Sequence, residues 1–159
     1  MKEGIPMVKA KVVFASITGN NEDVADIISE ALENKGIEVD TEEISQCDAM
    51  DFEDVDICVV TPYTYDEGAL PDEGMDFFED LAELDLKGKV YGVAGSGDTF
   101  YGEYYCVAVD KFDKAFAQAG ATKGATSLKI NLAPDSDEDI KQLENFAASL
   151  AETYTKNKQ

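Results

Sequence analysis

The chain has 159 residues, 44% of them hydrophobic, with 34 Asp plus Glu against 13 Lys plus Arg for a formal net charge of -21. That size suits one domain with its own core, and the charge excludes nucleic acid and anionic membrane surfaces as partners, because both select basic patches. The absence of histidine and of any Cys-x-x-Cys pair among three cysteines removes His-based acid–base and triad chemistry and most zinc sites.

In chain order, residues 9–15 read as a buried strand. A helix is expected over 20–35, with Val24, Ile27, Ile28, Ala31 and Leu32 on one face, Asn20 or Asn21 as its cap and Gly36 as its stop. Residues 37–43 alternate as an edge strand does, and Ile57-Cys58-Val59-Val60 is a second buried strand. A loop from Pro62 to Gly74 leads to a helix with Met75, Phe78 and Leu81 inward. Val90 to Ala94 is a third buried strand, followed by a loop over Gly95 to Glu103 and a helix over 104–119 with Phe112 and Phe116 inward. A last strand is expected over 126–132 and a last helix over 136–155, with Ile140, Leu143, Ala147 and Leu150 inward. Residues 1–7 read as an N-terminal extension and 156–159 as a tail. No apolar run has signal-peptide or transmembrane length, so a cytoplasmic protein is expected, and the odd cysteine count fits a reducing compartment.

Strictly alternating strands and helices imply an α/β fold: a five-stranded parallel sheet with helices on both faces, a three-layer sandwich. Ligands of such sheets sit beyond the carboxyl ends of the strands, at a switch point. Three segments reach that edge. The first, Ser16-Ile17-Thr18-Gly19-Asn20-Asn21, offers hydroxyls, amides and a glycine at a strand-to-helix junction and no cation, which suits a phosphate held by backbone N–H groups and a helix N-terminus. The second, Tyr63-Thr64-Tyr65-Asp66-Glu67-Gly68, and the third, Gly95-Ser96-Gly97-Asp98-Thr99-Phe100-Tyr101, carry aromatic residues that suit a flat ring, while Gly97 allows close backbone approach.

These motifs, Ser-x-Thr-Gly-Asn at 16–20, Tyr-Thr-Tyr at 63–65 and Gly-Ser-Gly-Asp-x-x-Tyr at 95–101, resemble those of the flavodoxins, most closely the short-chain type of Gram-positive bacteria. The likeness covers residues 8–155, and it implies the flavodoxin-like strand order 2-1-3-4-5, for which flavodoxin itself is the standard example. It also implies a non-covalently bound flavin mononucleotide (FMN). Ser16, Thr18, Asn20 and the nearby backbone would hold its phosphate, and Thr64 would lie near its ribityl chain. Tyr65 and Tyr101 would flank its ring, and Gly97, Asp98 and the backbone near Cys106 would meet the pyrimidine edge. The implied protein is a monomeric, low-potential electron carrier rather than an enzyme, working with reductases and oxidoreductases that present basic docking faces.

The chain departs from the family pattern at three places. Asn21 stands where Thr is usual, Asp66-Glu67 where Gly-Asp is frequent, and Gly102 reads as an extra residue. Asp at position 66 turns its peptide plane less freely than Gly, by about 0.5–1 kcal/mol, which lowers the potential of the first electron by roughly 20–45 mV. The readings set against this one are a relative with altered flavin binding, a small flavin-dependent reductase and a phosphorylation receiver domain. The last lacks its acids after the first strand.

Overall fold

A computed structural model describes residues 8–14, 20–61, 72–97, 107–131 and 137–157. Its elements are β1 (Lys9–Phe14), α1 (Asn20–Glu33), β2 (Glu38–Glu43), two 3-10 turns (Ile44–Gln46 and Ala49–Asp54), β3 (Ile57–Thr61), α2 (Asp72–Ala82), β4 (Val90–Gly97), α3 (Val107–Gln118), β5 (Thr122–Lys123), β6 (Leu128–Asn131) and α4 (Asp137–Asn157). All strand pairings are parallel, in the order β2-β1-β3-β4-β5, with β6 also on β4.

Two apolar layers hold the helices to the sheet. On one face Val24, Ile28 and Leu32 of α1 and Leu143, Ala147 and Leu150 of α4 pack with Ala10, Val12, Ile57 and Val59. On the other, Phe77 and Leu81 of α2 and Phe112 and Phe116 of α3 pack with Val13, Cys58, Val60 and Val93. Phe52, from the second 3-10 turn, joins that second layer edge-on to Phe77 at 5.6 Å. β3 is buried along its whole length and β2 is an exposed edge, as their patterns predict.

Several boundaries and facings differ from the sequence reading. Helix α2 begins at Asp72, within the expected loop, and its most buried ring is Phe77, while Phe78 is half-buried against Phe112. Ile140 is half-buried, and the inward residue of α4 missing from the prediction is Phe146. β4 runs to Gly97, three residues past the expected end.

The fifth strand is not one segment over 126–132 but two, β5 and β6, on one side of β4. β5 pairs at Val90 and Tyr91, and β6 pairs from Ala94 to Gly97. Gly124 marks the break. Its N–H still bonds the Tyr91 carbonyl at 2.9 Å, but its own carbonyl accepts from Ser149 Oγ at 2.6 Å and Thr153 Oγ1 at 3.0 Å, both on α4. Helix α4 thus takes the carbonyl that a continuous strand would use in its ladder. It approaches this closely because Gly124 has no side chain: a Cβ there would lie 2.3 Å from Val90 Cγ1 and 2.9 Å from Leu150 Cδ2.

One charged side chain, Lys11 of β1, is buried among the described residues, 5% exposed. Its ammonium bonds Asp40 at 2.8 Å and Glu42 on β2, with Asp51 3.9 Å away. Burial alone would push its pKa down, but the hydrogen bonds and charges of Asp40 and Glu42 outweigh this and hold it well above the ordinary lysine value.

Candidate functional site

The switch point lies between β1 and β3. From β1 the order steps to β2 on one side and to β3 on the other, so the chain leaves these two neighbours in opposite directions. Their carboxyl ends are level, with Phe14 paired to Thr61. Thr61 is fully buried, a polar residue in a strand otherwise made of Ile, Cys and Val. Residues 15–19 follow Phe14 and end at Asn20, so the amino end of α1 faces this edge with backbone N–H groups that have no partner inside the helix. The edge therefore offers both hydrogen-bond donors and the positive end of a 14-residue helix.

β4 forms the third wall of the edge. Among the described residues its register with β3 runs from Val90 to Val93 and its register with β6 from Ala94 to Gly97. The segment 98–106 joins Gly97 to Val107, the amino end of α3.

Among the sequence-predicted site residues, the structure places Asn20 and Asn21 in the first turn of α1, and Ser96 and Gly97 at the end of β4, opposite Ile130 and Asn131. It brings these two pairs to the same edge of the sheet. Ser16, Ile17, Thr18, Gly19, Tyr63, Thr64, Tyr65, Asp66, Glu67, Gly68, Asp98, Tyr101 and Cys106 lie outside the described residues, as do the extension 1–7 and Gly102. They belong to the three segments that join Phe14 to Asn20, Thr61 to Asp72 and Gly97 to Val107. Among the described residues no group of His, Cys, Asp and Glu is arranged to hold a metal, and no helix is long and apolar enough to cross a membrane.

Glu22 and Asp23 are exposed in the first turn of α1, and Glu43 ends β2 at the same edge.

One feature missed from sequence is the set of polar contacts that ties α3 to the broken fifth strand. Asp113 accepts from Tyr91 Oη, from Lys123 Nζ at 2.7 Å and from Ser127 Oγ at 3.0 Å. Asp110 accepts from Lys129 Nζ at 2.9 Å. Burial would raise the pKa of Asp113, but the hydrogen bonds from Lys123, Tyr91 and Ser127, with the Lys123 charge, hold it below the usual carboxylate value. Tyr91 also stacks on Phe116 at 4.8 Å, and burial together with the Asp113 carboxylate pushes its phenol up. The only trace of this in the sequence is the alternation of Lys123, Ser127 and Lys129 with apolar residues.

The family model for flavodoxin matches residues 12–146. A probable flavodoxin 1 of Bacillus subtilis (strain 168) is 38% identical over 141 residues, 89% of each chain. A solved short-chain flavodoxin associated with a non-canonical PDU bacterial microcompartment is 56% identical, with a TM-score of 0.91 over 93% of this chain and 99% of that one. The flavodoxin structure from Streptococcus pneumonia TIGR4 is 53% identical, with a TM-score of 0.88 over 92% of this chain and 99% of that one. The chain belongs to the flavodoxin family.

Proposed function

From that membership we propose how this chain does its work: FMN lies across the carboxyl edge of the sheet, and the protein passes electrons between redox enzymes without a substrate of its own. Flavodoxins are FMN-binding electron-transfer proteins and act with reductases and oxidoreductases. Relatives spanning nine-tenths of the chain are flavodoxins, so neither a small reductase nor an altered paralogue is favoured.

In this reading Ser16, Thr18, Asn20 and Asn21, with the backbone of residues 16–21 including Ile17 and Gly19, hold the phosphate. Thr64 meets the ribityl chain, and Tyr65 and Tyr101 flank the ring. Ser96, Gly97, Asp98 and the backbone near Cys106 take its pyrimidine edge. Tyr63, Glu67 and Gly68 complete the second loop, with Asp66 at its pivot. The described part of the edge fits such a molecule at both ends: helix donors at Asn20 suit a phosphate, and the end of β4 at Gly97 suits the polar rim of a ring.

When bound, FMN supplies a centre that takes one electron at a time. The protein's residues set the cost. Uncharged donors in the first loop leave the phosphate charge in place, and Glu22, Asp23 and Glu43 add to it, so a further negative charge on the ring is disfavoured. This makes a low-potential carrier. The net charge of -21 suits basic faces on partner proteins, and we take the working form to be a cytoplasmic monomer.

The single observation that carries the reading is the meeting of Phe14, Thr61, Gly97 and the amino end of α1 at one switch point. Adding FMN to the purified apoprotein tests it. The expected result is tight one-to-one binding, with quenched flavin fluorescence and a structured visible band, and uptake of electrons in separable one-electron steps on reductive titration. A protein that stays colourless with added FMN would refute the proposal.

A further inference from the structure

We propose that residues 122–127 form a strap on the sheet that opens as a unit while the central strands stay paired, with Asp113 of α3 and Ser149 and Thr153 of α4 as its two clasps. The inference concerns the broken fifth strand and is independent of the FMN reading.

Little backbone structure holds these six residues. β5 is two residues long, and its ladder on β4 covers Val90 and Tyr91. The N–H groups of Thr122 and Gly124 bond the carbonyls of Lys89 and Tyr91 at 2.8 and 2.9 Å. The next register with β4 begins at Leu128. Apolar packing is equally thin. Thr122, Lys123 and Thr126 are exposed and Ser127 is half-buried, so Ala125 is the strap's one side chain in the core. A cavity of about 400 Å³ lies beside the strap, lined by Lys123, Gly124, Ala125, Thr126 and Ser149, and gives it room to move.

The clasps come from opposite faces of the sheet. The Asp113 carboxylate accepts from Lys123 Nζ at 2.7 Å and from Ser127 Oγ at 3.0 Å, one on each side of Gly124. From the other face, Ser149 Oγ and Thr153 Oγ1 donate to the Gly124 carbonyl at 2.6 and 3.0 Å. Both helices are seated by other residues, α3 by Phe112 and Phe116 and α4 by Leu143 and Leu150. The clasps thus tie a weakly paired segment to two fixed bodies. Short ladders and few buried apolar contacts mark the parts of a protein that open before the rest. Opening here breaks the ladder bonds of Thr122 and Gly124 with the clasp bonds and uncovers Ala125, whereas unpairing β1 or β3 breaks both apolar layers.

Native-state hydrogen exchange on the purified full chain, read by NMR at pH 7 in a series of low urea concentrations, tests this. The reporters are the amides of Thr122 and Gly124, and Val59 in the middle of β3 is the reference. The reporters are expected to exchange at least about a hundredfold faster than Val59 and with almost no dependence on urea, because opening the strap exposes little surface. Asp113→Ala speeds them about three- to thirtyfold, and Ser149→Ala with Thr153→Val acts the same way from the other face. Val13→Ala, on a strand separated from β5 by β3 and β4, speeds Val59 and leaves the reporters unchanged, since opening the strap breaks none of its contacts. Reporters that exchange as slowly as Val59, with the same urea slope, overturn the proposal, and so do clasp variants that leave the reporters at the parent's rate. The urea series on the parent decides by itself should a variant fail to fold.

Discussion

Lys11 offers a test of how this acidic chain tolerates a buried cation. Its side chain is 6% exposed, whereas its partners Asp40, Glu42 and Asp51 are 63%, 36% and 43% exposed. The two halves of the cluster are therefore unequal. Replacing Asp40 and Glu42 by Ala leaves an ammonium in the core with Asp51 at 3.9 Å as the remaining partner, the situation that costs about 3–5 kcal/mol. Lys11→Met keeps the length of the stem and its packing, and leaves three carboxylates that water already reaches, so it costs less than about 1 kcal/mol. Urea unfolding of the apoprotein at pH 7 separates the two. With a slope of about 2 kcal/mol/M, the double variant lowers the midpoint by about 1.5–2.5 M and Lys11→Met by at most about 0.5 M. The pH choice follows from the sign of the shift. A lysine whose folded pKa is raised contributes fully below its unfolded value of about 10.4 and loses that contribution as pH rises through the folded value, so pH 7 reports all of it. A loss in Lys11→Met equal to that of the double variant would refute this account of the cluster.

Two further outcomes follow from the packing. Gly124→Ala is expected to destabilise by about 2–3 kcal/mol, lowering Tm by about 4–12 °C, because its Cβ would meet the stiff Val90 side chain at 2.3 Å. Gly36→Ala, at φ 82° with nothing within 4 Å, carries only the left-handed backbone cost of about 1–2 kcal/mol; equal losses at the two sites would refute the close approach of α4. The Cys47 thiol, pushed up to about 11 mainly by burial, is expected to label slowly with a thiol reagent at pH 8, with the rate rising about tenfold per pH unit up to pH 10. Peptide mass spectrometry that finds Cys47 labelled as fast as free cysteine would contradict it.

Much of this architecture is legible along the chain. The runs at 12–15, 57–60 and 90–94 are apolar without alternation, which is what a strand covered on both faces requires, and all three lie in central strands. Glycines 36 and 120 follow α1 and α3 at positive φ, as helix stops do. The facing of α2 was misjudged because Phe77 and Phe78 are adjacent, and periodicity alone does not say which of two neighbouring aromatic residues the core will take. The candidate cofactor segments are proposed on a different ground: hydroxyls, amides and aromatics follow three buried strands at one edge, the combination a flat, phosphate-bearing ligand needs.

The sequence by itself determined the order of elements, the parallel sheet and the three segments at its carboxyl edge, because local pattern and strand burial are properties of neighbouring residues. Only the tertiary structure decided that the fifth strand is broken, that Lys11 is a core residue and that Asp113 meets Tyr91, Lys123 and Ser127. Each of these depends on side chains far apart in the chain meeting across the sheet: Gly124 with Ser149, Lys11 with Asp40, and Asp113 with Tyr91 and Lys123. Such meetings are set by how closely helices and strands approach, and spacing along one segment carries no trace of that distance.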